Sequence, residues 1–243
     1  MKVLVLPDLH VPYTNMDYIK EAYAFNKKYK ADIVVQLGDF FDFYNLSSYA
    51  KSTDADSARE ELEAARKQVK IIAKMFPKMT ILKGNHEDRL NRRANEAGIP
   101  PAYVRTAFEV VDAPSGWNYI DKEPYIEIDG VIYTHGFLSN PKQHSEYFNA
   151  PCVIGHLHQS MGVTYTARQD SMIYAMCLGF MADMKSMVFQ YGALKKYNKF
   201  TPGFGYVIDG IPHIHPLLAR ETMNSKRHNL HTRSVKAIEI KLN

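Results

Sequence analysis

The stretch KGNHEDRL, Lys83–Leu90, follows the apolar run MTIL and sets a glycine, a carboxamide, an imidazole and a carboxylate in immediate succession. Taken alone, a Gly-Asn pair reads as a polar turn. The same arrangement recurs along the chain, and the recurrence decides the fold. Asp8-Leu9-His10 follows VLVLP, Gly38-Asp39 follows VVQL, His135-Gly136 follows VIYT, and Gly155-His156-Leu157-His158 follows CVI. In open α/β sheets ligands bind in the crevice beyond the carboxyl ends of the strands, so residues distant in sequence converge there. Five short turns thereby become one site.

The five apolar segments that precede these turns read as strands: KVLVL (2–6), DIVVQL (32–37), MTILK (79–83), VIYT (131–134) and PCVI (151–154). They are short, rich in Val and Ile, and mostly lack the alternation of a half-exposed strand, which predicts a sheet covered on both faces. Helical periodicity lies between the first three, at Tyr18 to Lys30 and at Asp56 to Phe76, where Leu62, Ala65, Val69, Ile72 and Phe76 recur at three- and four-residue steps. The order βαβαβ is that of an α/β layered sheet. Asp-Gly turns in YIEIDGVIYT and GYVIDGIPHIHPL predict two tight hairpins, so the second half is richer in strands.

At 243 residues the chain is expected to form a single domain, 1–243, with a core over 1–218 and a basic tail over 219–243. Arg220 to Asn243 holds six Lys/Arg against two Glu, so the formal charge of +4 resides in that tail, which reads either as a nucleic-acid arm or as a solvated end. No run approaches the roughly 18 apolar residues that a membrane span needs. VLVL is followed at once by Pro7 and Asp8 and reads as a strand rather than a signal peptide, which gives the expectation of a cytoplasmic protein. Cys152 and Cys177 lack metal-knuckle spacing and read as reduced, buried thiols.

In this order DLH, GDFFD, GNHE, HG and GHLH resemble the five signature blocks of the calcineurin-like metallophosphoesterases, over residues 8 to 158. The resemblance implies a four-layer α/β/β/α sandwich of two mixed sheets flanked by helices, which revises the single helix-covered sheet read from periodicity. It implies two divalent transition-metal ions, Mn²⁺ first with Fe, Zn, Ni or Co as alternatives. Asp8, His10 and His158 would complete one site and Asn85, His135 and His156 the other, with Asp39 bridging through its two carboxylate oxygens. By the same resemblance a metal-bridging hydroxide attacks phosphorus, His86 is the general acid, and Asp42 is the carboxylate that orients His86. Glycines before Asp39, Asn85 and His156 let the backbone approach the ions closely.

The resemblance leaves the substrate open. Protein Ser/Thr phosphatases of this superfamily extend the second block to GDxxDRG, whereas here Phe43 and Tyr44 replace that Arg-Gly. GDFFDF is closer to the block of repair-type nucleases and related phosphodiesterases; lipid A pathway pyrophosphatases share it but carry arginine where His86 stands. The reading is a phosphodiesterase, with nucleic acid among its candidate substrates, ahead of a phosphomonoesterase, a pyrophosphatase or nucleotide hydrolase, and a non-catalytic binding scaffold. Arg89, Arg92 and Arg93 follow the catalytic turn on a short helix, and since one helical face can look into the site, Arg89 is taken as the substrate-binding cation. The aromatics of FFDFYNLSSY read as loop packing or as a base-stacking surface, the methionines between Met172 and Met187 as core, and the alternation of His213 with His215 as what a strand gives in any case.

Overall fold

The computed structural model describes residues 1–49, 51–53, 55–189 and 200–217. Its strands are β1 (Lys2–Leu6), β2 (Ile33–Gln36), β3 (Met79–Leu82), β4 (Trp117–Ile120), β5 (Tyr125–Ile128) and β6 (Val131–Thr134). They continue with β7 (Cys152–Ile154), β8 (Met161–Ala167), β9 (Met172–Leu178), β10 (Gly203–Ile208) and β11 (Ile211–Pro216). Two mixed sheets result, one in the order β11-β10-β1-β2-β3-β4 and the other β5-β6-β7-β9-β8. β1 to β4 run parallel, as do β6, β7 and β9, and the hairpin strands β10, β5 and β8 pair antiparallel to them.

Alternation along β1 explains the layers. Val3 and Val5 face the other sheet and pack with Val35, Leu37, Leu82, Val131, Tyr133, Val153, Met176 and Leu178. Leu4 and Leu6 point the opposite way, towards α1 (Met16–Tyr29) and α2 (Ala58–Met75), where they meet Ile19, Ala22, Ala65, Val69 and Ile72. On the far side of the second sheet, Ile132, Cys152, Ile154 and Cys177 pack with Phe148 of α5 (Pro141–Phe148). Every strand of this interior is covered on both faces, so the apolar runs are continuous rather than alternating. The fold is the four-layer α/β/β/α sandwich. The expected strands and helices form with bounds shifted by one or two residues. β4, the antiparallel pair β8 and β9, and α5 have no counterpart among the expected elements. α3 (Asp88–Glu96) follows the catalytic turn, and α4 is a single turn, Ala107–Val110.

Phe40 and Phe41 are fully buried against Phe108 and Trp117, and Tyr44 is buried too, so the aromatic loop is packing; Tyr49 alone of the set is well exposed. Met176 and Met181 are buried while Met172 and Met184 are exposed, so the methionine segment is core only in part. His213 stacks on Tyr206 and His215 on Phe204, with His215 Nε2 3.0 Å from Glu21. The basic tail at 219–243, including His228 and His231, lies outside the described residues. No helix among the described residues is long and apolar enough to cross a membrane.

The loop after Asp42 is held from below by Glu61 on α2. Its carboxylate accepts the amides of Tyr44 (2.6 Å) and Asn45 (3.0 Å) and the Asn45 side-chain amide (2.8 Å), and it is buried. Removing it strands three donors, so Glu61→Ala should lower the unfolding free energy by roughly 2–4 kcal/mol, with Glu61→Gln costing less because one acceptor oxygen survives. Urea unfolding of the two variants measures the difference.

Candidate metal centre

All five turns lie at the carboxyl ends of β1, β2, β3, β6 and β7. The local backbone is unusual at three of them: His10 (φ 51°), Asp39 (φ 47°) and His156 (φ 61°) all sit in the left-handed region, which non-glycine residues seldom occupy and which clusters at functional sites. Gly38 and Gly84 face one another, and a Cβ on Gly38 would lie 2.6 Å from the Gly84 amide nitrogen, while one on Gly84 would overlap the Asp39 amide and carboxylate. Only glycine permits the β2 and β3 turns to come this close.

Three groups of potential ligating atoms form among the described residues, one of them His10, Asp42 and His86, and the other two hold the expected ligands. Asp8, His10, Asp39 and His158 converge in one, and Asp39, His135 and His156 in the other, so Asp39 belongs to both. His10 Nε2 lies 3.2 Å from His158 Nε2. His135 Nε2 lies 3.1 Å from His156 Nδ1, 3.0 Å from Asn85 Oδ1 and 3.4 Å from Asp39 Oδ2. Ligand atoms that share an ion at about 2.1 Å in octahedral or tetrahedral geometry are themselves about 3.0–3.4 Å apart. The donor set, with imidazole nitrogens and carboxylate or amide oxygens facing one another across that gap, therefore fits divalent cations. Two of the four candidate ligating rings are also oriented from behind: His10 Nδ1 is 3.1 Å from Asp42 Oδ2, and His135 Nδ1 is 3.1 Å from the Leu37 carbonyl, which turns the opposite nitrogen towards the other candidate ligands.

Three geometric details differ from the sequence expectation. Asp39 Oδ1 accepts the His86 amide at 2.8 Å, a contact the bridging scheme leaves out, while Oδ2 lies 3.4 Å from His135 Nε2. The Asp42 carboxylate lies on His10 at 3.1 Å, with the same oxygen 3.8 Å from His86 Nδ1, and the nearer acceptor for that nitrogen is the Asp42 backbone carbonyl at 2.9 Å. Arg89 is buried, with its guanidinium donating to the Asp42 carbonyl (2.6 Å) and to His86 Nε2 (2.8 Å). Arg92 is exposed, and Arg93 instead donates to the Leu46 and Ser47 carbonyls.

Two functional side chains went unread in the sequence. Glu87 is buried, and its oxygens accept the amides of Asp39 (3.1 Å), Gly84 (2.8 Å) and Phe41 (3.0 Å), locking the β2 and β3 turns together. The glutamate closing GNHE was its signal. His144, buried on α5, accepts the amides of Phe137 (3.0 Å) and Leu138 (3.1 Å) at Nε2 and so fixes the chain after His135-Gly136. A lone histidine outside the motifs carries no such signal.

A family model of calcineurin-like phosphoesterases matches residues 1–179, the span that carries all five turns. The chain belongs to that family. No curated protein matches it. Among solved structures it is similar to the phosphoesterase YfcE from E. coli, at 15% identity over 86% of this chain and 88% of that one, with a TM-score of 0.40. It is likewise similar to vacuolar protein sorting 29 from Cryptosporidium parvum (14% identity, 89% and 96% covered, TM-score 0.41) and to Vps29 from Chaetomium thermophilum (13%, 90% and 93%, 0.39). Similarity at this level bears on neither substrate nor mechanism.

The electrostatics follow from burying carboxylates without enough permanent positive charge. Burial pushes the Asp8 carboxyl up to about 7. Burial opposes a charge on His135, but Asp39 and Asp8 outweigh it and hold that imidazole up at about 9; His135 in turn keeps Asp39 well below the usual carboxylate range against its own burial. Burial drives His158 well down and lowers His86 to about 4. In the metal-free protein at pH 7 protons thus stand where cations would bind, and a ligating His135 must lose one. Binding of Mn²⁺ or Zn²⁺ at pH 7 should release protons, and affinity should weaken as pH falls from about 9. Calorimetric titration in buffers of different ionisation enthalpy measures the release; none at pH 7 would contradict this charge distribution.

Proposed function

We propose that the chain hydrolyses phosphodiesters, nucleic acid among the candidate substrates, with a pair of divalent transition-metal ions, Mn²⁺ foremost and Fe, Zn, Ni or Co as alternatives. The observation that carries the hydrolase reading is the spacing of facing ring nitrogens and carboxylate oxygens in two clusters that share Asp39. Asp8, His10, Asp39 and His158 would hold one ion, and Asp39, Asn85, His135 and His156 the other. When bound, such a pair supplies Lewis-acid polarisation of a phosphoryl group and neutralises charge on the attacking and leaving oxygens.

The remaining steps belong to the chain's own side chains. Asp42 and the Leu37 carbonyl keep His10 and His135 in the tautomers that turn their free nitrogens inwards. Glu87 and the glycine pair keep Asp39 and Asn85 at the reacting end of the site. His86 is the proton donor to the departing oxygen. Its Nε2 is engaged by Arg89 in this structure, so the role requires the guanidinium to leave His86 for the phosphoryl oxygens as substrate arrives, which frees Nε2 to carry a proton. Arg89 is the one guanidinium hydrogen-bonded to this cluster among the described residues, and the position of the phosphatase arginine is filled by Phe43, followed by buried Tyr44. A single guanidinium suits the singly charged phosphoryl group of a diester better than the dianion of a monoester.

The test is a Mn²⁺-supplemented comparison of p-nitrophenyl phosphate, its bis ester, and single- and double-stranded DNA and RNA. The bis ester should turn over faster than the monoester; the reverse order would hand the reading to a phosphomonoesterase. His86→Asn should slow a poor alkoxide leaving group by about 10²–10⁴-fold and p-nitrophenolate far less, with metal content near that of the unmodified chain. Loss of a bound ion on that substitution would make His86 a ligand instead.

A further inference from the structure

An open groove of about 280 Å³ begins at Asn85 and His135 and runs between the turn after β3, the segment Asp121 to Pro124, and the chain after β6 as far as Phe137. His86 does not line it. The groove thus shares Asn85 and His135 with the candidate metal centre without reaching the general acid, which makes it available to a substituent other than the leaving group.

Three properties of this groove define its occupant. Phe137 presents an aromatic ring that is 51% exposed yet held in place. Its amide donates to the buried His144, and its ring stands edge-on to His144, Tyr147 and Phe148 at centroid distances of 5.1, 5.3 and 6.1 Å. A ring fixed before binding loses little freedom when a flat partner stacks on it. The charge lining the groove comes next. Lys83 pairs with Asp88 at 3.1 Å, which leaves Lys122 with Asp121 and Glu123, so carboxylates outnumber ammonium groups three to two. Such a wall offers acceptors for hydroxyl and amino donors and repels a second phosphate. The volume, at the small end of ligand pockets, suits one such group and not a string of them.

We infer that the groove is the binding site for a single nucleoside, the substituent retained on a phosphodiester, with the base stacked on Phe137 and hydroxyl or amino groups meeting Asp121 and Glu123. This rests on the diesterase reading above. It narrows the substrate class to esters in which a nucleoside sits on one side of the phosphate and the leaving group on the other, next to His86.

The experiment keeps the leaving group constant and varies the retained one, comparing thymidine 5′-(p-nitrophenyl phosphate) with methyl p-nitrophenyl phosphate in the presence of Mn²⁺. The thymidine ester should have the higher kcat/KM. Phe137→Ala should cut the thymidine-to-methyl ratio by about 5- to 150-fold, the range that base stacking on an aromatic side chain loses on truncation. Phe137→Tyr, which keeps both the packing and the ring face, should retain the preference, and Phe137→Leu, which keeps bulk without the face, should lose most of it. Equal kcat/KM for the two esters, or a ratio that survives Phe137→Ala, overturns the nucleoside site while leaving the diesterase reading intact. Hydrolysis of p-nitrophenyl phosphate with neither diester cleaved overturns both.

Discussion

Four carboxylates buried at the ends of strands govern this molecule. Asp8, Asp39, Asp42 and Glu87 have almost no contact with solvent, and a carboxylate in such a place is tolerated only with hydrogen-bond donors or cations around it. The donors come from the turns themselves. Asp8 takes the amide of His156 at 2.8 Å, Asp39 that of His86, and Glu87 three amides from two turns. The constraint that makes the carboxylates expensive is thus also what ties the five turns together. The deficit of positive charge that remains is met by Arg89 and by a proton on His135, a charge balance that favours cations.

The layered architecture brings these groups to one place. Parallel strands end at a common edge, so β1, β2 and β3 deliver Asp8, Asp39 and Asn85 side by side. The second sheet, packed face to face through Val3, Val5, Tyr133 and Met176, delivers His135 and His156 from β6 and β7 against them. A site assembled from two sheets depends on the packing between them, and Gly155 lets the β7 turn close on Asp8, where a Cβ would lie 2.8 Å from its carboxylate.

Among the described histidines, what sits behind the ring separates the roles. His10 and His135 have an acceptor behind Nδ1 and turn Nε2 to the other candidate ligand atoms, the arrangement of a ligand. His86 has both nitrogens engaged, by the Asp42 carbonyl and by Arg89, and burial lowers it to about 4, so it exchanges a partner before it transfers a proton. His144 accepts two backbone amides, a structural role that in turn presents Phe137. His213 and His215 stack on aromatic rings of the neighbouring strand.

The sequence alone carried the order of the strands, the two Asp-Gly hairpins and the five polar turns, because periodicity, turn chemistry and short motifs are local properties of the chain. It supplied the residues that converge, since a turn following a buried strand has one crevice to face. What it did not carry were the contacts made across the chain. The orientation of Asp42 towards His10 and the facing of Asp39 Oδ2 to His135 join residues 32 and 96 positions apart, and Arg89, three residues from His86, also bonds the Asp42 carbonyl 47 positions away. Glu87 and His144 were equally silent, for a buried carboxylate or imidazole that binds backbone amides leaves no periodic trace. The strands β4, β8 and β9 were missed on similar grounds: β4 and β8 lie at sheet edges and β9 pairs with β7 and β8, so they owe their pairing to neighbours that only the folded chain brings beside them.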